Sequence, residues 1–397
     1  MGTGFLSSIP WRAKWFIVLV FFTAVGYGYF QVLVSAYLPE IGFDSGTVGL
    51  ILGVNGIAVV VASIPLGIYA DRKGKKPILF LGLLVFPFTL LVYALTRELE
   101  ALLFASAIAG LVEGAFLSTW NALIADMTDT KNRDNAFSLS FIVATLAFGI
   151  GYAVPFAFPF VESALQLGSA QVHQYSTLLV AGFAFVSPIG IGLILRGYSE
   201  PDRSETVSAK GSLKPLWKFS GLNGMIGLGA GFIIPLIATW FFLRFAVPDT
   251  YSGPLLAISN ITIGLAAVGS PMLAKKFGNV NAIVITEGSS TIFMLATVFA
   301  PSAVVAGGLY VVRAALMNMS SPLSDSFLMG IIPPGQRSLA SAVNSLVWRL
   351  PNSLTTVAGG IIMATGNLAL PFYLATAFYV LGISGFFLVF RNVKPAN

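Results

Sequence analysis

The sequence contains no cysteine and a single histidine among 397 residues. Without cysteine there is no disulfide, no thiol nucleophile and no thiolate metal ligand. One imidazole, His173, which falls in a loop between apolar runs, does not make a metal site. Charge is scarce as well: Asp, Glu, Lys and Arg make up 10% of the chain, while apolar residues make up 56%. So little polar material cannot cover the surface of a water-soluble domain of this length. The chain is therefore read as a polytopic membrane protein with no room for an extramembrane catalytic domain. No Ser-His, His-x-x-x-His or paired-aspartate arrangement argues for an enzyme inside the bilayer, and neither a metal nor another cofactor is expected.

What is present is a succession of roughly twelve apolar runs, each near the ~20 residues that span a bilayer. The first, about Lys14 to Leu38, is too long for a signal-peptide core and is followed by no small-residue cleavage site, so it is expected to be retained. The stretch Gly197 to Pro215 is the long polar segment and reads as a linker, which divides the chain into 1–196, 197–215 and 216–397. Arg97 and Arg244 apart, the lysines and arginines outside the apolar runs fall at the termini or in alternate loops on one face. This positive-inside asymmetry predicts a multi-pass protein of the plasma membrane with both termini and the linker in the cytoplasm. It also accounts for the net charge of +6 without nucleic acid.

Between the second and third runs lies Gly67 to Lys76, reading Gly-Ile-Tyr-Ala-Asp-Arg-Lys-Gly-Lys-Lys. Gly67 and Ala70 are small enough for a neighbouring helix to approach closely. Asp71, the acid among the cations, is suited to accept hydrogen bonds from the free N–H groups of a helix start. The stretch resembles the signature of the major facilitator superfamily, Gly-x-x-x-Asp-Arg-x-Gly-Arg/Lys-Arg/Lys, matching it at Gly67, Asp71, Arg72, Gly74, Lys75 and Lys76. The resemblance implies an all-α integral membrane fold of twelve helices in two pseudo-symmetric six-helix bundles, a monomer that transports by alternating access. It further implies that Asp71 latches onto the start of helix eleven, near Ser338 to Ser341. Asp126 and Arg133, an Asp-x6-Arg pair, are similar to the family's acid and arginine that join Asp71 and Lys75 in a charge network. Helix five, with Gly149, Gly151, Pro155 and Pro159, departs from the Gly-x-x-x-Gly-Pro-x-x-Gly-Gly of the family's drug-proton antiporters.

The halves repeat at an offset of 204 residues, which sets Gly74 on Gly278, Arg133 on Arg337, Asn121 on Asp325 and Asp71 on Lys275. The second copy of the signature thus lacks its acid. In helix one, Thr23, Tyr27, Gln31 and Ser35 are spaced by four and form a polar stripe that should face a cavity. Glu113, Glu287, Arg313 and Arg349 fall inside apolar runs, where a charge is disfavoured by ~2.5 to 3.5 kcal/mol unless a cavity or partner receives it. Arg313 opens a stripe continuing through Ser320, Ser321, Ser324 and Asp325.

If the family arrangement holds, helices one, four, seven and ten line a central cavity. Glu113 is then the proton-coupling candidate, facing Arg313, while Tyr27, Gln31, Asn121, Arg313, Arg349 and Asn352 are the cavity candidates. A fixed bridge between Glu113 and either arginine is the alternative. Glu287 is expected at the periphery, bonded to Ser289, Ser290 or a neighbouring helix, and Asp325 in a lower network with Arg337. Trp120, Trp240 and Trp348 are candidates for narrowing the cavity or for packing. The expected function is secondary active transport of a small solute, proton-coupled, with a small organic anion favoured by the two arginines. Efflux of drugs or amphipathic compounds by proton antiport is the alternative within transport, and a non-transporting membrane sensor is the alternative outside it.

Overall fold

In a computed structural model the described residues are 4–129, 131–200, 214–332 and 337–393; for Gly4, Phe5, Asp71, Ala267, Val268 and residues 337–339 the backbone alone is described. No strand occurs among them. Six long helical stretches precede the linker: α1 (Trp11–Glu40), α2 (Ser45–Lys73), α3 (Lys75–Leu95), α4 (Leu99–Asp126), α5 (Arg133–Leu165) and α6 (Ser169–Ile194). Six follow it: α7 (Lys214–Gly231 and Ile237–Phe245), α8 (Asp249–Phe277), α9 (Asn279–Val298), α10 (Ala303–Ile331), α11 (Arg337–Ala364) and α12 (Leu370–Phe390). Among the described residues nine of these are long and apolar enough to cross a membrane, and the bent α8 makes a tenth. The other two are α7, which is broken, and α11, which carries a polar face.

The break in α7 replaces the continuous helix expected over about Leu216 to Phe245. Pro235 has no N–H to give to the carbonyl of Gly231, so the regular ladder stops there. A second departure concerns the turn between α5 and α6, expected as a loop from Glu162 to Gln174. Helix α5 runs to Leu165 and ends on Gln166, whose φ of 53° is left-handed. Helix α6 begins at Ser169, three residues later, where the Gln171 side chain accepts the Gly168 N–H at 3.0 Å. His173 is consequently a buried helical residue, contrary to the loop placement read from the sequence. A π turn at Leu33–Tyr37 lies in the second half of α1, and there the carbonyl of Ser35 accepts the Thr239 hydroxyl at 2.6 Å.

Internal contacts divide the chain into two compact units. The first is Met1–Val34, Val54–Ser204 and Asp249–Ala257; the second is Ser35–Gly53, Glu205–Pro248 and Ile258–Asn397. The boundaries therefore pass through α1, α2 and α8 as well as the linker. In the first unit Phe16, Leu83, Trp120, Leu139 and Ile191 bring α1, α3, α4, α5 and α6 into one core. Trp120 stacks on Phe16 at 4.5 Å and donates its indole N–H to Ser140 at 2.9 Å, so it packs. In the second unit Phe219, Phe327, Phe386 and Phe390 form the aromatic centre of the core of α7, α10 and α12. Trp240 also packs, ringed by Phe241, Phe245 and Phe372, with its N–H on the carbonyl of Leu368.

Glycine sets how near the helices come. On α1 and α5, a Cβ at Gly28 would meet the Phe148 carbonyl at 2.5 Å, and one at Gly151 would collide with the Val25 carbonyl. The two glycines paired by the 204-residue offset, Gly74 and Gly278, have φ of 97° and 78°, and each turns one helix into the next.

Replacing Gly151 with Leu should cost about 1–3 kcal/mol by overpacking the α1–α5 contact, seen as a lower unfolding midpoint of the purified protein in detergent. Asp44, just before α2, provides a second test. Its carboxylate accepts the N–H groups of Gly46 and Thr47 at 2.8 and 3.1 Å and the Thr47 hydroxyl at 2.6 Å. The Thr47 side chain first, then these amides, hold its pKa below the usual carboxylate value. That stabilisation is present above the unfolded-state pKa and is lost as pH falls through the lowered folded-state value. Asp44→Ala should cost about 1 kcal/mol at neutral pH, and the gap to wild type should close on acidification.

Candidate functional site

The signature loop is built on a buried ion pair. Lys75, the first residue of α3, places Nζ 3.1 Å from Asp126 Oδ2 at the end of α4, with 8% and 0% of the two side chains exposed. Glu200, at the start of the linker, accepts the backbone N–H of Lys75 at 2.9 Å and of Lys76 at 2.8 Å, and lies 3.6 Å from Lys75 Nζ. It satisfies two of the N–H groups that the start of α3 leaves unbonded. Lys76 Nζ reaches the carbonyl of Tyr198 at 2.6 Å, with the Tyr198 ring centroid 5.8 Å away. Arg133, opening α5, donates to the carbonyls of Ala125 and Thr128 at 3.3 and 3.2 Å, where α4 ends. Gly67 and the exposed Arg72 lie on α2. The side chain of Asp71, and those of Ser338 and Leu339 in the stretch Ser338 to Ser341 where its latch was expected, lie outside the described residues.

The second unit contains a cavity of about 570 Å³. Helix α10 contributes Arg313, Ser320, Ser321, Ser324 and Asp325, so the whole stripe read from the sequence lines it. Helix α11 adds Asn344, Ser345, Trp348 and Arg349, which recur at helical spacing on one face. Arg313 is buried; its Nη2 donates to the Tyr379 hydroxyl at 2.6 Å, and its Nε is buried without a hydrogen-bond partner. Glu287 of α9 is buried too and lines the same cavity, its Oε1 2.8 Å from the Ser320 hydroxyl. Two cations and two carboxylates therefore share one space within a single unit.

That assembly differs from the expected one in its acids. Glu287 was placed at the periphery, bonded within α9 or to a neighbour; its bond is to a neighbour, Ser320 of α10, at the point where that helix is interrupted, and it lines the cavity. Asp325 lines the cavity, while the side chain of Arg337 is outside the described residues. Neither Glu200 nor Tyr379 was singled out in the sequence. Glu200 follows Ser199 within a polar stretch, and nothing local marks it as a helix cap at a distant site. Tyr379 is one aromatic residue in a strongly apolar helix.

The remaining candidates lie elsewhere. Asn352 donates to the carbonyl of Gly227 at 3.2 Å and is not among the cavity-lining residues. Tyr27, Gln31, Asn121 and Glu113 belong to the first unit. Tyr27 stacks on Phe86 at 4.0 Å, donates to the Ala109 carbonyl at 2.8 Å and lies within electrostatic reach of Glu113. Thr23 bonds to Ala184 and Ser187 of α6. Within the polar stripe of α1, Thr23 and Tyr27 thus find hydrogen-bond partners on α6 and α4. Gln31 and Glu113 are half-buried and Asn121 is exposed.

Apolar helices long enough to cross a bilayer, with a charged cavity inside one unit, define a multi-pass membrane protein. This chain belongs to the Major Facilitator Superfamily, whose family model matches residues 16–356. It is 32% identical to the inner membrane transport protein YajR of Escherichia coli (strain K12) over 146 residues, 36% of this chain and 31% of that protein. The chain thus spans about a third of that relative's length. Over 383 residues, 92% of each chain, it is 24% identical to Multidrug resistance protein 1 of Bacillus subtilis (strain 168). The solved structure of a bacterial homologue of the human lysosomal transporter Spinster, inward-facing and occupied, shares the fold at a TM-score of 0.75. It has 16% identity and covers 97% of this chain and 98% of that one.

Breaking the Lys75–Asp126 pair leaves a buried charge without its partner. Lys75→Ala should therefore destabilise the protein by about 3–5 kcal/mol, whereas Lys75→Met combined with Asp126→Leu should recover most of that loss. Unfolding midpoints of the three proteins in detergent decide this, and equal midpoints for single and double variants would refute it.

Proposed function

We propose that this protein is a secondary active transporter that moves a small organic solute bearing an anionic group, coupled to protons, by alternating access. The halves that alternate are 1–196 and 216–397, joined by the 197–215 linker. The observation that carries the reading is the pairing of Arg313 and Arg349 in one cavity, with an Arg313 N–H buried and unbonded. A guanidinium presents its donors as a flat fork that matches a carboxylate or phosphate, and an unpaired buried donor gains most from such a ligand. The volume suits a small molecule, and Trp348 and Tyr379 supply apolar surface beside the charges. No reaction is catalysed in this scheme. The protein acts as a monomer of the plasma membrane with both termini in the cytoplasm, in keeping with the cation distribution of its loops.

Two carboxyl groups stand as carriers of the coupling proton. Glu113 lies on α4 of the first unit, and Glu287 shares the cavity with the two arginines. Drug efflux is the second reading, favoured by the length of the match to a protein named for multidrug resistance. The charged lining supports the anion instead, since lipophilic cations gain nothing from two guanidiniums.

Proteoliposomes given a panel of small organic anions, amino acids, sugars and lipophilic cations, with and without an inward proton gradient, test the proposal. An anion should be taken up faster with the gradient, and Arg313→Ala should slow that uptake by about 10–100-fold, the worth of hydrogen bonds to a charged group. Loss of the gradient response in Glu113→Gln or in Glu287→Gln identifies the proton carrier. Movement of lipophilic cations alone would replace this reading with efflux.

A further inference from the structure

A second cavity, of about 400 Å³, opens at the ends of α7, α10 and α12 within the second unit. Its lining differs in kind from that of the first. Lys214 and Lys218, four apart on α7, put two ammonium groups on one face. Across the cavity Val389 in the last turn of α12 and Val393 just beyond its end, where the Val393 N–H donates to the Phe390 carbonyl at 2.9 Å, put two half-exposed apolar side chains on another, with buried Phe390 beside them and Ile331 of α10 closing the side. No acidic residue lines it, and neither lysine has an ion-pair partner among the described residues. Trp217, 57% exposed, stands beside the lysines, and the exposed Arg391 beside the valines.

Two cations without an ion-pair partner among the described residues, next to an apolar trough, call for a ligand that is anionic at one end and hydrocarbon at the other. The position decides which. These are the ends of membrane helices, where the headgroups of a bilayer lie and where tryptophan gathers. A basic pocket between helices at that level holds the headgroup of an anionic lipid. We propose that this cavity is a binding site for one anionic phospholipid, its phosphate between Lys214 and Lys218 and the upper part of an acyl chain along Val389, Phe390 and Val393. The proposal is independent of which solute the protein transports.

The full-length protein in detergent, titrated with phosphatidylglycerol or phosphatidylcholine and weighed intact by native mass spectrometry, tests it. Wild type should retain one phosphatidylglycerol in preference to phosphatidylcholine. Lys214→Gln with Lys218→Gln should weaken that retention by about thirtyfold, from about fivefold per basic residue near a lipid headgroup. Val393→Glu should abolish it from the apolar side. Lys275→Gln with Lys276→Gln, which removes the same charge from the end of α8, should leave it unchanged. Equal loss in both lysine pairs would reduce the effect to net charge and overturn the site, as would equal retention of the two lipids. Displacement of phosphatidylglycerol by millimolar inorganic phosphate would reassign the lysines to a free anion and also overturn it. Unchanged unfolding midpoints show that the variants remain folded.

Discussion

How near α7 comes to α11 governs the second unit. A Cβ on Gly224 would stand 2.8 to 2.9 Å from Val347, and Cβ atoms on Gly227 and Gly231 would collide with the carbonyls of Trp348 and Asn352. These three glycines recur at helical spacing, so one face of α7 is bare backbone. Pro351 lies inside α11 and takes the usual partner from the carbonyl of Val347, one of the groups that Gly224 faces. Val347, Asn352 and Thr355 take that side of α11, with Asn352 and Thr355 donating to the carbonyls of Gly227 and Leu228 at 3.2 and 2.8 Å. Asn344, Ser345, Trp348 and Arg349 are left to line the cavity, so a bilayer helix can carry so polar a face.

The two ends of the chain's chemistry are handled in opposite ways. At the signature, Lys75 and Asp126 are buried against one another, and Glu200 supplies the further acceptor that a buried cation requires. Geometry there is closed and specific. In the cavity, Arg313 has Tyr379 for a partner but retains an unbonded N–H, and Glu287 has Ser320. Incomplete satisfaction in a low-dielectric setting is costly, which is why such groups mark places where a ligand completes the network. At the His173–Asp249 contact, Nδ1 faces the Ser169 carbonyl at 2.7 Å and Nε2 faces a carboxylate oxygen at 2.9 Å. A proton must lie between Nε2 and Asp249 for that contact to hold.

Much of this was legible in the residues. Apolar runs gave the helices, Gly74 and Gly278 gave the turns between them, and the Arg313 stripe gave the face of α10 that lines the cavity. What escaped the sequence depended on partners far along the chain. Periodicity shows that Thr23 and Tyr27 share a face, yet it cannot say that α6 and α4 offer them hydrogen bonds. Hydropathy places Glu287 in an apolar run, yet its direction goes with the hydrogen bond to Ser320, where α10 is interrupted. His173 was misplaced because a glutamine cap starts α6 earlier than apolarity does. Glu200 lay hidden in a polar stretch whose composition gave no clue that one acid closes a helix start more than a hundred residues away.

The cavity's inventory of charge has an electrical consequence. When Arg313, Arg349, Glu287 and Asp325 are all ionised, the four charges sum to zero. A carrier whose empty site is neutral does no electrical work when it reorients, because a membrane potential acts only on charge displaced through it, at about 2.3 kcal/mol per charge for each 100 mV. Under the proposed transport and in that ionised state, voltage would act through the cargo alone: a monovalent anion entering by itself would work against an inside-negative cell, and one carried with one proton would cross without regard to voltage.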